Sequence, residues 1–222
     1  MRLDGPTICL ITDRRRLLGA DTGFEAVRRG LVETVRDAVR AGVDLIQVRE
    51  FGLETAQLVD LVQGIVEIAH AASTRVVVND RLDVALACGA DGVHLRADSA
   101  APRMVRRIVP DGFLVGRSVH QLEEAREHAD AADYLVAGTV FPTPSKPSAA
   151  AWLGAGGLEA IVKAVRVPVL AIGGITLDRV AAVAGAGAAG IAAIGLFLPG
   201  GPSIGETVDA VRRQFDSVTA AF

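Results

Sequence analysis

Gly42-Val-Asp-Leu-Ile-Gln-Val-Arg-Glu50 is the stretch on which the fold turns. Its centre is a short apolar run, and apart from Asp44 its polar residues gather at the far end. Helical spacing flanks it on both sides. Upstream, Phe24 to Arg40 puts Val27, Leu31, Val35 and Val39 on one face, and Gly42 closes that helix. Downstream, Glu54 to about Ala72 repeats the pattern with Leu58, Leu61, Val62, Ile65 and Ile68. A strand set between two amphipathic helices is a unit of a parallel sheet covered on both faces, because parallel neighbours need a helical crossover.

Working outward, the same unit recurs. Strands are predicted at Thr7–Thr12, Arg75–Asn79, Asp91–Leu95, Phe113–Arg117, Asp133–Gly138, Pro168–Ile172 and Gly190–Ile194. Helices are predicted over residues 83–88, 101–108, 122–131, 158–165, 176–184 (capped by Thr176) and 204–220, with an Arg- and Gly-rich loop from Arg14 to about Gly23. Eight such units in 222 residues fit one α/β domain, a (β/α)8 TIM barrel over residues 1–222, better than an open doubly wound sheet.

The bulk composition narrows the function classes. Half of the chain is hydrophobic with few aromatics, which suits many short buried strands against Ala-rich helices. A net charge of −3 gives no footprint for nucleic acid or an anionic membrane. The beginning of the chain carries Arg2 and Asp4 with no long apolar run, and no window approaches 18 uncharged apolar residues without a glycine or turn break, so neither a signal peptide nor a membrane span is expected. Cys9 and Cys88 sit inside apolar segments and read as reduced thiols, which points to the cytoplasm. The Ala/Gly-rich composition is compatible with a homodimer but does not require one.

In a barrel of this kind the chemistry belongs to the C-terminal strand ends. Those ends supply Asp13; Gln47, Arg49 and Glu50; Asn79 and Asp80; His94 and Asp98; Ser118 and His120; Thr143, Ser145 and Lys146; Gly173 and Gly174; Ile194 and Gly195. Gln47 and Arg49 are two residues apart and share a face. Facing inward they reach phosphate oxygens, and facing outward they only touch a helix. Asn79-Asp80 offers either an oxygen-rich Mg²⁺ site completed by substrate phosphates or a helix cap. Gly138-Thr-Val-Phe-Pro-Thr-Pro-Ser-Lys-Pro147 is stiffened by three prolines, so its hydroxyls and ammonium stay open to an anion. It reads as a phosphate clamp or as a Pro-rich surface loop, and the other strand ends favour the clamp. The glycines after the seventh and eighth strands, each before a helix N-terminus, suit a further phosphate. His94 reads first as a packed core residue. His120 reads equally as a helix start or a substrate contact. No Ser–His–Asp or Cys–His arrangement and no zinc spacing is evident. Arg14-Arg-Arg16 reads by default as a solvated loop, with added positive charge at the mouth as the alternative.

Taken together, Ile11-Thr-Asp13, Ile46-Gln-Val-Arg-Glu50, Val78-Asn-Asp-Arg81, Ala90-Asp-Gly-Val-His-Leu95, Gly116-Arg-Ser-Val-His120, Gly138 through Lys146 and Ala171-Ile-Gly-Gly-Ile175 resemble the thiamine phosphate synthase and thiazole tautomerase family. The motifs run through nearly the whole chain in family order. The resemblance implies a TIM barrel and a Mg²⁺-dependent transferase joining a hydroxymethylpyrimidine pyrophosphate to a thiazole phosphate. It implies that Gln47, Arg49, Asn79 and Lys146 hold the pyrophosphate and that Asp80 binds Mg²⁺. It places Ser118 near the pyrophosphate and pyrimidine, with Thr143, Ser145, Gly173, Gly174, Ile194 and Gly195 around the thiazole phosphate. Arg49, Ser118 and Lys146 are then the catalytic candidates. Three departures stand out. Phe51 occupies the place of a lysine, Arg96-Ala-Asp-Ser99 replaces a Gly-Gln-acid-Asp pattern, and Gly195 replaces a serine. Arg96 is thereby expected to restore a cation, and Asp98 to supply the second metal carboxylate. The tautomerase branch, which typically has a histidine where Thr139 stands, is the alternative, together with a non-catalytic phosphate-binding paralogue.

Overall fold

The computed structural model describes residues 5–20, 22–143 and 152–220. Its first half runs β1 (Thr7–Ile11), α1 (Arg14–Leu18), α2 (Phe24–Arg40), β2 (Leu45–Val48), α3 (Thr55–His70), β3 (Arg75–Asn79), α4 (Leu82–Ala87) and β4 (Gly92–Leu95). Then come α5 (Pro102–Arg106), β5 (Leu114–Val119), α6 (Leu122–His128), β6 (Tyr134–Ala137), α7 (Gly154–Ala164), β7 (Val169–Ile172), α8 (Val180–Gly185), β8 (Gly190–Ala193) and α9 (Ile204–Thr219). The eight strands are all parallel and close in sequence order, with β8 pairing back onto β1. The (β/α)8 expectation holds.

Strand alternation separates two apolar layers. Inward positions Cys9, Ile11, Leu45, Val77, Leu114, Tyr134, Val136, Leu170 and Ala192 form the barrel centre. Outward positions such as Ile8, Ile46, Val76, Val93, Val115, Leu135, Val169 and Ile191 pack under the helices. Each helix presents its expected stripe: Val27, Leu31 and Val35 on α2, and Leu58, Leu61, Val62 and Ile65 on α3, are buried. Burying each such side chain contributes about 1.5–3 kcal/mol. Glycine is required where strands crowd the axis. A Cβ on Gly116 would meet the Tyr134 ring at 2.2 Å and His94 Nδ1 at 2.7 Å, so this residue makes room for that pair.

Three sequence expectations need correction. Arg14–Leu18 is helical rather than a loop, because the Asp13 side chain accepts from the Arg16 N–H and caps the turn. Arg14 is buried, donating to the Phe51 carbonyl through Nη2 and to Glu50 through its backbone N–H. Thr176 precedes a three-residue 3₁₀ turn, Leu177–Arg179, and β8 likewise runs into a 3₁₀ turn, Gly195–Phe197. Neither β7 nor β8 therefore opens directly onto an α-helix N-terminus. No helix among the described residues is long and apolar enough to cross a membrane.

Candidate active site

The C-terminal mouth of the barrel opens into a cavity of about 780 Å³. Its floor is the last inward layer of the strands, and the layer is chemically split. β2 to β5 contribute Gln47, Asn79, His94 and Ser118, whereas Val136, Ile172, Ala192 and Ile11 come from β6, β7, β8 and β1. Register brings the polar four together: Gln47 pairs with Val77 two residues before Asn79, Asn79 with His94, and His94 with Gly116 two residues before Ser118. Gln47 Nε2 donates to Asn79 Oδ1 at 3.0 Å, which fixes both buried amides. The inward orientation expected of Gln47 and Arg49 is borne out, since both line the cavity.

His94 Nε2 lies 2.8 Å from Ser118 Oγ, and Nδ1 lies 3.2 Å from the Tyr134 hydroxyl. A neutral imidazole has one N–H, so one hydroxyl donates to it and the other accepts. The core reading of His94 is correct and incomplete, since the ring also lines the cavity. Burial lowers its pKa from 6.5 to about 4, with Asp80 opposing and Arg117 assisting. It is a weak base, and Ser118 is no activated nucleophile of the hydrolase kind. One consequence is measurable. The unfolded chain protonates this histidine near 6.5 and the folded chain only near 4, so stability is full above 6.5 and falls as pH drops towards 4. The loss attributable to His94 totals about 3 kcal/mol. Urea midpoints measured from pH 7 to 4 will fall more steeply for the wild type than for His94→Gln; equal slopes would refute this assignment.

The rim is cationic. Arg16, Arg49, Arg96 and Arg179 line it, with Phe51 and His120. The Arg49 guanidinium stands 4.4 Å over the Phe51 ring and 3.9 Å from Asp13, and the backbone N–H of Arg49 donates to Thr12 Oγ1. Arg96 lies 5.9 Å from the same ring. His120 sits just before α6, its backbone N–H donating to Glu124, and its ring faces the cavity. Across the mouth, Gly173 and Gly174 both have positive φ, 95° and 64°. The Phe141 N–H donates to the Gly173 carbonyl, and Arg179 Nη1 donates to that of Gly174 at 2.8 Å. Thr139, Thr143, Ile194 and Gly195 complete this wall. Ser145 and Lys146 lie outside the described residues.

Asp80 departs from the expected arrangement. It has φ 59°, a left-handed conformation that aspartate tolerates better than most residues. It faces a neighbouring cavity with Leu82, Ser99 and Met104, while Arg96 and Asp98 line both cavities. The Ser99 hydroxyl donates to Asp80, and Arg96 pairs with Asp80 at 3.6 Å and with Asp98 at 2.6 Å. Sequence reasoning missed Arg179 and the His94–Ser118–Tyr134 cluster. A glycine inside the β5 motif was the available signal for the cluster, because it marks close approach.

Residues 9–197 match the family model described as thiamine monophosphate synthase. The chain is 40% identical over 188 residues to a thiamine-phosphate synthase of Roseiflexus castenholzii, covering 84% of this chain and 78% of that one. It is 42% identical over 200 residues to a thiamine-phosphate synthase of Methanoculleus marisnigri, covering 89% and 93%. A solved thiamine phosphate pyrophosphorylase from Pyrococcus furiosus superposes with a TM-score of 0.80 at 33% identity, covering 97% of this chain and 98% of the other.

Proposed function

The chain belongs to the thiamine monophosphate synthase family, and we propose that it joins 4-amino-5-hydroxymethyl-2-methylpyrimidine pyrophosphate to a thiazole phosphate, releasing pyrophosphate. In that reaction the bond from the pyrimidine methylene to the pyrophosphate oxygen breaks, and its electron pair leaves with the pyrophosphate. The thiazole nitrogen lone pair then forms the new C–N bond, so no proton has to move. The observation that carries the reading is the split cavity: arginines above an amide, imidazole and hydroxyl half-floor, with an aliphatic half opposite. Leaving-group departure needs fixed donors and positive charge more than a base, and His94, a weak base that burial keeps uncharged, fits the absence of a base.

In this reading Gln47, Arg49 and Asn79 hold the pyrophosphate, and Lys146 adds to them from the Pro-rich loop. Ser118, steadied by His94, meets the pyrimidine end. Thr143, Ser145, Gly173, Gly174, Ile194 and Gly195 surround the thiazole phosphate. Arg96 stands in for the cation that Phe51 does not provide. The Asp80 and Asp98 carboxylates, with the Ser99 hydroxyl, are the oxygen donors Mg²⁺ takes when substrate phosphates and water complete its shell. Among the described residues no third carboxylate, imidazole or thiolate joins them. Mg²⁺ bound there would shield the developing pyrophosphate charge. Arg96 pairs with both carboxylates, so a metal entering between them would displace a guanidinium.

The test is a reaction with both substrates and Mg²⁺, read as thiamine phosphate formed. Turnover is expected, with loss on adding EDTA and a drop of roughly 100-fold or more in Asp80→Ala. Absence of turnover, with Mg²⁺-independent binding of the thiazole phosphate, would move the assignment to a tautomerase-like activity.

A further inference from the structure

The outward face of β5 carries Val115, Arg117 and Val119, and the two valines belong to the apolar layer beneath the helices. Arg117 shares that layer with only 4% of its surface exposed. It has no carboxylate partner among the described residues, and its Nε has no hydrogen bond there. Burial and the lack of a paired anion make this a costly place for a guanidinium. Its remaining nitrogens are all committed. Nη2 donates to the Ala97 carbonyl at 2.7 Å and lies 3.2 Å from His128 Nε2; Nη1 donates to the carbonyls of Ala100 at 3.1 Å and Ser99 at 3.3 Å. For that contact to be a hydrogen bond, His128 Nε2 must accept, and burial together with the Arg117 charge lowers the His128 pKa and keeps it neutral.

Three of these acceptors belong to one short connection, residues 97–100 between β4 and α5. The same connection carries Asp98 and Ser99 and follows Arg96. Its position relative to Asp80 is fixed from the other side, where the Arg96 N–H donates to Asp80 Oδ1 and to Ser99 Oγ. An aliphatic residue would pack at position 117 as Val115 and Val119 do, so packing does not explain the arginine.

We propose that Arg117 is a positioning residue. From behind the sheet it pins the β4–α5 connection, and so sets where Arg96, Asp98 and Ser99 meet the pyrophosphate end of the substrate. The inference rests on the synthase reading for the identity of that substrate, and on geometry alone for the pinning. No contact between Arg117 and substrate is implied.

Arg117→Met keeps the length of the side chain and suits its apolar neighbours, so it is expected to fold. Its KM for the pyrimidine pyrophosphate should rise roughly 10- to 100-fold, the usual consequence of removing a group that orients a binding residue. The KM for the thiazole phosphate, bound across the mouth, should stay within about 2-fold. Arg117→Lys, which keeps the charge but loses the fork, should recover part of the loss. Unchanged constants in Arg117→Met, or an equal rise in both KM values, would overturn the inference while leaving the synthase reading intact. If Arg117→Met does not fold, the same KM split in Arg117→Lys decides. If the wild type makes no thiamine phosphate, calorimetric titration with inorganic pyrophosphate decides instead. Weaker binding by the variant sustains the pinning; equal binding, or none by either protein, overturns it.

Discussion

Arg49→Met is expected to lower kcat/KM for the pyrimidine pyrophosphate by roughly 100- to 1,000-fold, the range seen when one donor to a developing anion is removed. The residue follows β2 two positions after Gln47, so it projects over the same end of the barrel, and both line the cavity. Nothing nearby consumes its charge. The Asp13 contact is 3.9 Å long with 34% of the arginine side chain exposed, a pair worth about 0–1 kcal/mol. Burial lowers its pKa, Asp13 and Glu50 raise it, and Arg96 lowers it; an arginine remains charged throughout. The Phe51 ring beneath the guanidinium limits its rotation and leaves its N–H edge for the substrate. Stability should therefore change little while activity falls. Arg49→Lys should land between wild type and methionine, because a point charge replaces a bidentate fork. Steady-state kinetics on the three proteins, with thermal midpoints alongside, gives the answer. A methionine variant with near wild-type kcat/KM would remove Arg49 from the pyrophosphate site.

The contrast between Gln47 and His94 explains what could be read from the chain and what could not. Gln47 and Arg49 were legible because a period of two within one strand is local information, and the same holds for the order of eight strands and helices. The neighbours of His94 are non-local. They depend on the β4–β5–β6 register, which sets His94 beside Gly116 and Gly116 beside Tyr134. Sequence spacing alone does not specify that register. Arg14-Arg-Arg16 misled for a different reason. A run of charge reads as solvated, yet Asp13 caps it into a turn and Glu50 receives the first arginine. Asp80 and Asp98 were found as residues, but their orientation was not. A left-handed φ turns Asp80 towards the side cavity and the Arg96 bridge ties it to Asp98 between the two cavities, and neither feature has a one-dimensional signature.

The opposite wall makes the complementary demand, and Gly174→Ala should expose it. At φ 64° an alanine is strained in its own backbone, and the space is closed as well. A Cβ there would lie 2.5 Å from the Pro142 carbonyl oxygen and 2.6 Å from that of Phe141. These are backbone atoms, so no rotamer relieves the contact. The segment 141–142 must move away from Gly173 and Gly174 instead. That movement strains the Phe141 N–H bond to the Gly173 carbonyl and the Arg179 bond to the Gly174 carbonyl, and it carries Thr143 with it. The expected result is a KM for the thiazole phosphate raised roughly 10-fold or more, because displacements near 1 Å in a positioning group cost that much or more. The pyrimidine pyrophosphate KM should rise less, since Gln47, Arg49 and Asn79 hold that substrate from β2 and β3 across the barrel and only Lys146 reaches it from the displaced loop. Unfolding stability should drop by about 1–3 kcal/mol. Gly185→Ala is the matched control: it is the last residue of α8, with nothing within 4 Å of the added methyl, so stability and both KM values should stay close to wild type. Should Gly174→Ala lose stability while keeping its thiazole phosphate KM, the paired glycines serve only the packing of β7 against the end of β6, and the second phosphate must be held elsewhere on the rim.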